Sequence, residues 1–544
     1  MGIYLNPGAD MLRRGRNSNV YVDKSGLIAY LNSVLSSEQC YVCSSRPRRF
    51  GKTMAANMVC AYYDRTVDGA REFAGLEIAN DPEFDEHRNR FDVLHINMQE
   101  FLSATHGMDQ MLALLTRSIV REMAREYRDL DILTDATLPF ATADLYAQTR
   151  RQLVIVIDEW DCPMREKQAD LEAQRRYLDF LRSWLKDKPY VALCYMTGIL
   201  PIKKYGTHSA LNMFSEFSMV EPRQLAPYVG FTESEVRALC DAWSCDFAEC
   251  AAWYDGYRLL GAGGVCVDAY SPKSVVEAVT SGVFSNYWNR TESYEALKRY
   301  IDLDMDGLHE RVVELLSGGC VEVNTETYVN DMMTLSSADD VLTLLIHLGY
   351  LAYDGATGRA YIPNREVLGE FANSVETGGG WGEVARSIAD SESLLDALVM
   401  GDEAAVAAGV QRAHEEVSSI IDYNGEASLA ATLRLAFFSA IRRWRVVREI
   451  PAGKGFADMV LIPLASAPAG TPGIVIELKY AATAAEALAQ IRDRGYGRAI
   501  DGLSSRAVLC GIAYDPKTKE HSCIIARSEW RGGCSHWTCG EQYG

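Results

Sequence analysis

The stretch "SSRPRRFGKTMAANM", residues 44–58, is the part of the sequence that decides the fold. It contains Gly51-Lys52-Thr53, the last three positions of the phosphate-binding pattern G-x-x-x-x-G-K-[ST], but Arg46 stands where that pattern has its first glycine. The apolar run at residues 39–45 predicts a buried strand, and residues 52–64 repeat apolar side chains at helical spacing. Strand, loop and helix in this order predict a loop that binds phosphate through backbone N–H groups and the helix N-terminus.

Two side chains of the loop and two carboxylates further along the chain extend this prediction. Lys52 would reach the β- and γ-phosphate oxygens of a nucleotide, and Thr53 would place its hydroxyl on Mg²⁺. A second apolar run, "LVIVIDEWD" at residues 153–161, predicts a strand with Asp158 and Glu159 at its carboxyl end. A metal-holding Asp and a water-activating Glu are what nucleotide hydrolysis requires there. A buried strand that ends in a solvated acidic turn would give the same pattern.

A third predicted strand, "YVALCYMTG" at residues 190–198, ends in Thr197, where a polar side chain could sense the γ-phosphate. Together the three strands predict an α/β fold, a P-loop ATPase core built on a parallel sheet. The cofactors expected at this site are ATP and Mg²⁺.

Several further segments occur in an order that indicates a family. They are "YVDKSGLIAYLNS" (21–33), "VIDEWDCP" (156–163), "MTGILPIKKYGTHSALN" (196–212), "GFTESEV" (230–236) and "WYDGY" (253–257). With the loop, residues 17–300 resemble the AAA-ATPase-like family of bacterial proteins, whose loop typically reads S-R-P-R-R-F-G-K-[ST]. The resemblance implies that Arg46 is normal for the family, that Gly51 belongs to the phosphate cradle, and that Arg46, Arg48 and Arg49 add charge near the phosphates. A solvated basic loop would explain the arginines as well.

The sequence predicts four parts. These are the ATPase core at residues 1–225, a helical lid at 226–300, a helical and winged-helix-like connector at 301–420, and a last domain at 421–544. Within the connector, residues 338–367 predict a helix followed by a hairpin, either a small winged-helix-like unit or a plain structural connector, and the second is favoured. The segment "ETGGGWGE" (376–383) has three consecutive glycines and is the best linker candidate.

A different set of polar residues lies in the last domain. "WRVVREIPAGKGFADMVLIPL" (444–464) predicts strand, turn, strand, with Asp458 where the second strand begins. "GIVIELKYA" (473–481) predicts another strand, on which alternation sends Glu477 and Lys479 to the same face. The two carboxylates and a backbone carbonyl could hold Mg²⁺, and Lys479 could position or activate an attacking water. A surface ion pair would also give this E-x-K spacing.

These residues resemble the PD-(D/E)XK nuclease superfamily, in the branch found fused to this ATPase. The resemblance implies a C-terminal α/β restriction-endonuclease-like domain with Mg²⁺-dependent cleavage of nucleic acid. DNA is favoured over RNA as the partner, and the sequence does not decide between them. It adds Glu426, on the helix before the strands, as a further metal-adjacent acid, and it matches Gln490 and Tyr496 after the E-x-K strand. Phe456 departs from the pattern, because the branch frequently has Arg there, and the departure removes a phosphate contact.

Composition and charge limit the function classes. Residues 421–544 hold 15 Lys and Arg against 12 Asp and Glu, a net of +3, and the whole chain has a formal net charge of −20, so residues 1–420 carry −23. An acidic body argues against broad nonspecific binding to nucleic acid. No apolar run approaches the ~20 residues of a membrane helix, and no signal peptide is visible. Fourteen cysteines, mostly single, fit a reduced protein, so we expect a cytoplasmic protein without a membrane partner.

The leading hypothesis is an ATP-driven nuclease, in which the ATPase controls a Mg²⁺-dependent cutter of nucleic acid. The main alternative is a nucleotide-regulated interaction or nucleic-acid-binding protein without cleavage activity, and a small-GTPase-like switch is a third. Family analogy makes defence against mobile elements an expected role. The net charge of +3 attracts a polyanion only weakly, so nucleic-acid binding could need a second protomer, in a homo-oligomer. Cys534, His536 and Cys539 supply one ligand fewer than structural zinc usually needs, so a loosely packed tail is favoured.

Overall fold

A computed structural model of the protein describes residues 2–529. Within that span the description leaves out residues 169, 203, 206–207, 210, 229, 289–293, 304, 306, 329–334, 377–380, 418–425, 448–449, 453–454, 465–466, 469, 496–499 and 501–505. The chain divides into two compact units: unit 1 is Met1–Tyr287 with Glu322–Pro363, and unit 2 is Trp288–Val321 with Asn364–Gly544. Among the described residues, no helix is both long and apolar enough to cross a membrane.

Unit 1 is built on a five-stranded sheet whose neighbouring strands are all parallel. Across the sheet the strands are, in order, Asp92–Asn97, Leu153–Asp158, Val191–Gly198, Tyr41–Ser45 and Ser215–Phe217. The middle three are buried along their whole length, as the near-continuous apolar runs of inner parallel strands require. The predicted α/β core with a parallel sheet is confirmed.

Three strands of this sheet position the residues that the sequence singled out. We name them the loop strand (Tyr41–Ser45), the acidic strand (Leu153–Asp158) and the central strand (Val191–Gly198), and the central strand lies between the other two. In register, Ser44 faces Thr197. Since parallel strands end at one edge of a sheet, the loop, the acidic turn and Thr197 share that edge.

Helices and short strands complete unit 1. The α-helices are Asp10–Arg16, Gly26–Val34, Lys52–Tyr63, Gly69–Glu72, Phe84–His87, Met98–Ser103, Met108–Glu126, Leu138–Thr149, Cys162–Glu166, Leu171–Leu185, Glu233–Trp243, Phe247–Tyr254, Pro272–Ser281 and Ala338–Leu348. The 3₁₀ turns are Glu77–Asn80 and Ala262–Gly264. The short strands are Lys204–Tyr205, His208–Ser209, Phe231–Thr232, Tyr257–Leu260, Cys266–Tyr270, Ala352–Asp354 and Arg359–Tyr361, with Val321–Glu322 at the division between the units.

The predicted helical lid, residues 226–300, contains strands as well as helices. Phe231–Thr232, Cys266–Tyr270 and Tyr257–Leu260 form a three-stranded antiparallel sheet. Gly256, directly before the strand Tyr257–Leu260, has a φ of +106°, and a Cβ there would lie 2.1 Å from the Pro363 carbonyl oxygen. Both the conformation and the close approach require glycine, and they turn the chain from helix into strand. The predicted helix and hairpin of residues 338–367 are present.

Unit 2 contains a five-stranded mixed sheet with helices. Its strands are, in order, Trp444–Val447, Met459–Pro463, Gly473–Tyr480, Arg506–Asp515 and Glu520–Glu529, and a hairpin pairs Ile450–Ala452 with Gly455–Ala457. Its helices are Tyr294–Ile301, Leu308–Leu316, Arg365–Glu376, Gly382–Met400, Glu403–Val417, Glu426–Ala436 and Ala484–Arg494, with a 3₁₀ turn at Phe438–Arg442.

The middle of this sheet mixes the two strand directions. Gly473–Tyr480 is antiparallel to Met459–Pro463 and parallel to Arg506–Asp515. The helix Ala484–Arg494 lies between the parallel strands in sequence, as a crossover connection requires. Of the linker candidate, residues 377–380 lie outside the described residues, and the segment falls within unit 2.

Candidate functional site

The loop that follows the loop strand contains two residues in left-handed conformations. Arg49 has a φ of +69° and Gly51 a φ of +80°. Around a Cβ built on Gly51 there would be no atom within 4 Å, so backbone conformation and not space favours glycine. The same conformation costs a non-glycine residue such as Arg49 about 1–3 kcal/mol. Backbone strain of this kind is typical of ligand-binding loops.

Lys52, the first residue of the helix Lys52–Tyr63, turns its amine back across the loop. Its side chain is buried, and Nζ donates hydrogen bonds to the carbonyl oxygens of Arg46 at 3.0 Å and Pro47 at 2.8 Å. Burial lowers the pKa of Lys52, while the charge of Glu159 opposes that shift. The loop therefore holds a cation at its centre, as a phosphate cradle requires.

Asp158 joins side chains from three parts of the fold. Its carboxylate is fully buried and accepts hydrogen bonds from Thr53 Oγ1 at 2.7 Å and from Thr197 Oγ1. The Glu159 backbone N–H donates to Asp158 Oδ1 at 3.1 Å. The structure thus brings together four of the predicted site residues. A hydroxyl beside a carboxylate offers the oxygen ligands that Mg²⁺ prefers, so these residues fit the expected ion.

Glu159 directly follows the acidic strand and has a φ of +55°. This backbone conformation is strained for a residue other than glycine. Its carboxylate lines a pocket and pairs with the guanidinium of Arg165. Burial raises the pKa of Glu159, and the charges of Lys52 and Arg165 oppose that shift. A carboxylate in this position could act as a general base, and that role of Glu159 stays a prediction.

The pocket has a volume of about 440 Å³ and two chemically different parts. One part is the loop and the helix start, Arg48–Ala55, together with Glu159. The other part is mostly apolar and aromatic, with Leu12, Val20, Tyr21, Val22, Met58, Tyr228, Phe231 and Val276. A polar end beside an apolar end is typical of sites for amphipathic small molecules. The apolar part was missed from the sequence because its members are scattered between residues 12 and 276.

Arg46 and Arg49 have different positions. Arg46 is fully buried, and its Nη1 donates to the carbonyl oxygens of Ser45 at 3.0 Å and Phe217 at 3.1 Å. Burial lowers the pKa of Arg46 to about 10. Arg49 lines the pocket and donates to the Tyr287 carbonyl oxygen at 3.1 Å. The observed bonds tie the loop to its surroundings, and phosphate contacts by these arginines stay a prediction.

In unit 2, the three residues of the second predicted site lie together. Asp458 Oδ2 accepts a hydrogen bond from the Leu478 backbone N–H at 2.8 Å, although its side chain is exposed. Glu477 is buried, and its Oε1 accepts from Lys479 Nζ at 3.2 Å and from Gln490 Nε2. Within the described part of the chain, Glu477 Oε2 is a buried oxygen without a hydrogen-bond partner.

The electrostatics of this second site favour a cation. Burial, and next the charge of Asp458, raise the pKa of Glu477 to about 7. Two close carboxylates, one with an unpaired buried oxygen, fit a divalent ion with oxygen ligands. No group of three or more His, Cys, Asp or Glu able to hold a metal is found among the described residues, so further ligands would be backbone oxygens, water or substrate.

Three other predictions for unit 2 fall outside the described residues. Glu426 begins the helix Glu426–Ala436, but the placement of its side chain is not described. Tyr496 and the tail with Cys534, His536 and Cys539 lie outside the described residues altogether. Their expected roles stay predictions.

Comparisons with known proteins give a family match and matches to solved structures. The chain is similar to the Aeropyrum pernix ORC2 protein, solved as ADPNP–ADP complexes, with 12% identity and a TM-score of 0.30 over 66% of this chain and 97% of that chain. No curated protein matches the chain. The family match covers the loop, the acidic strand and the central strand. Over residues 11–207, the chain matches the AAA-ATPase-like family, which is described as predicted AAA-ATPase.

Proposed function

We propose that unit 1 binds and hydrolyses ATP with Mg²⁺. The observation that carries the proposal is the convergence of Lys52, Thr53 and Asp158 beside a pocket that also contains Glu159. The family match of residues 11–207 supports the same activity. The apolar part of the pocket provides the aromatic and aliphatic surface that an adenine ring would pack against.

Each residue has a distinct task in this proposal. The backbone N–H groups of the loop and the helix N-terminus bind the phosphates, and Lys52 neutralises the charge of the β- and γ-phosphates. Thr53 and Asp158 would hold Mg²⁺, which supplies charge neutralisation at the transferred phosphoryl group. Glu159 takes a proton from the attacking water. Thr197 donates its hydroxyl proton to Asp158, and its hydroxyl oxygen lies at the strand end where a polar side chain could sense the γ-phosphate.

Two substitutions test the ATPase. Lys52→Ala removes a charge-assisted hydrogen bond of ~1.5–3 kcal/mol, so nucleotide affinity should fall about 10- to 150-fold in a calorimetric titration. Glu159→Gln keeps the shape of the side chain but removes the base, so kcat should fall about 10²- to 10⁴-fold while binding is retained. Exposed residues provide the matched controls Lys517→Ala and Glu38→Gln. Equal hydrolysis by wild type and both site variants would remove the ATPase proposal.

We propose further that unit 2 cleaves nucleic acid with a divalent metal. The observation that favours it is the unpaired buried oxygen of Glu477 beside the Asp458 carboxylate, with Lys479 on the same strand face. Asp458 and Glu477 would hold the ion, which lowers the pKa of bound water and offsets charge on the phosphate. Lys479 orients the attacking water, whose oxygen bonds to phosphorus as the phosphodiester P–O bond breaks. The water gives up a proton to solvent, and the leaving oxygen takes one up.

Incubation with plasmid, linear DNA and RNA tests the second proposal, with Mg²⁺ or Mn²⁺ and with or without ATP. Asp458→Ala and Glu477→Ala should lose both metal binding and cleavage, whereas Lys479→Ala should keep metal binding and cut slowly. The exposed Asp493, on the helix after the E-x-K strand, gives the control Asp493→Ala. Wild-type protein that binds but never cuts would favour the nucleic-acid-binding alternative, and an Asp458→Ala variant that cuts normally would refute the site.

A further inference from the structure

Behind Glu159 lies an arginine that the ATPase proposal does not use. Arg165 is on the short helix Cys162–Glu166 and is 8% exposed, while Glu159 is 22% exposed. One guanidinium nitrogen, Nη2, donates to Glu159 Oε2, and Nε donates to Asp161 Oδ2 at 3.1 Å. Arg165 does not line the pocket, whereas Glu159 does. The arginine therefore contacts the carboxylate from the protein side and not from the pocket.

Asp161 fixes the other side of this arginine. It is fully buried, and its Oδ2 also accepts the backbone N–H groups of Ile199 at 3.1 Å and Leu200 at 2.9 Å. These residues directly follow the central strand, which ends in Thr197-Gly198. Asp161 thus anchors the guanidinium to the segment that directly follows the buried central strand. A guanidinium held by Asp161 at Nε and by Glu159 at Nη2 has little rotamer freedom.

The arrangement leaves one oxygen of Glu159 available. Oε2 is bound by Arg165, and Oε1 has no hydrogen-bond partner among the described residues. Because Arg165 binds Oε2, Oε1 is the oxygen that can accept a proton from water. A base acts well only if it is held in one geometry, and a shift of about 1 Å can cost ~10²-fold in rate.

We propose that Arg165, anchored by Asp161, is the positioning residue of the Glu159 general base. The inference rests on the proposed ATPase function of unit 1. It assigns Arg165 no contact with nucleotide. It also explains why the acidic turn continues to Asp161 after Asp158-Glu159, since the third carboxylate has the separate task of holding the arginine.

The test measures kcat and KM for ATP hydrolysis by the full chain. Arg165→Gln should lower kcat about 10- to 100-fold with KM within about twofold of wild type, because only the base loses its position. Arg165→Lys, which can keep one charged bond to Glu159, should recover part of the lost kcat. In the Glu159→Gln background, Arg165→Gln should have almost no further effect, since both changes act on one group.

Controls separate this role from a loss of folding. Arg176→Gln removes an exposed arginine that pairs with Asp109 and Glu172 and should leave both constants unchanged. Nucleotide binding and the thermal midpoint of each variant report whether unit 1 is intact, and Arg165→Lys serves if Arg165→Gln does not fold. Unchanged or faster hydrolysis by Arg165→Gln, a change in KM alone, or effects that add to those of Glu159→Gln would overturn the inference. Wild-type protein without hydrolysis would instead refute the ATPase proposal, and this inference with it.

Discussion

A buried carboxylate is sensitive to pH at the scale of a single residue, and Glu477 is the clearest case. Its pKa is raised from 4.5 to about 7, with burial as the first cause and the charge of Asp458 as the second. Because the folded state binds the proton more tightly than the unfolded chain, this group's contribution to stability is present at low pH. It is lost as the pH rises through about 7.

The same shift predicts competition between protons and a divalent ion in unit 2. A metal binds the ionised carboxylate, so the apparent affinity for Mn²⁺ at pH 6 should be about tenfold lower than at pH 8. Calorimetric titration at the two pH values measures this ratio, and Asp458→Ala should show almost no binding at either. If wild-type affinity is the same at pH 6 and pH 8, Glu477 is not a ligand.

Arg46 shows a different effect at this scale. The residue that replaces the usual first glycine of the loop is a buried cation that joins the loop strand to Ser215–Phe217 through the Phe217 carbonyl oxygen. A cation in a buried position is costly unless it is hydrogen-bonded, and two carbonyl oxygens supply part of that compensation. The substitution thus has a structural reason in addition to the role that the family resemblance implies.

At the scale of elements, the end of the central strand determines how the acidic turn packs. A Cβ on Gly198 would lie 2.6 Å from Trp160 Nε1 and 2.8 Å from Asp161 Oδ1. These distances are shorter than real Cβ contacts, so the acidic turn packs against the central strand only because residue 198 has no side chain. The Trp160 backbone N–H also donates to the Thr197 carbonyl oxygen at 3.1 Å, which fixes the turn to the strand end.

Gly198→Ala should therefore disturb the acidic turn as a whole. Overpacking of this kind costs ~1–3 kcal/mol, which should lower the thermal midpoint by several degrees, and the displaced Asp161 should lower kcat for ATP hydrolysis. Gly107→Ala is the matched control, because no atom lies within 4 Å of a Cβ there and its φ of −157° suits any residue. Equal stability and activity of the two variants would contradict the packing described for Gly198.

At the scale of the whole molecule, each unit is formed by two separate segments of the chain. Residues 288–321 belong to unit 2 and residues 322–363 to unit 1, so the chain passes between the units three times. The four parts predicted from the sequence were consecutive segments of the chain, and their functional boundaries remain predictions. The net charge is −23 over residues 1–420 and +3 over residues 421–544. Because an acidic surface repels nucleic acid, we expect any contact with nucleic acid in residues 421–544.

The sequence by itself determined the features that depend on neighbours in the chain. The buried strands, the loop before Lys52 and the carboxylates after Ile157 follow from short apolar runs and from the residues that end them. The E-x-K strand also follows from local alternation, which is why Glu477 and Lys479 were predicted on one face. These predictions succeeded because side-chain periodicity is a property of a few consecutive residues.

Only the tertiary structure decided which distant residues meet. The central strand lies between the loop strand and the acidic strand, so Thr197 contacts Asp158 across the sheet edge. Tertiary packing also forms the apolar part of the pocket. It brings Gln490 to Glu477, and it places the bond between Arg165 and Asp161 beside Ile199. Strand order and helix packing depend on the total area buried by the whole chain, and no local pattern carries that information.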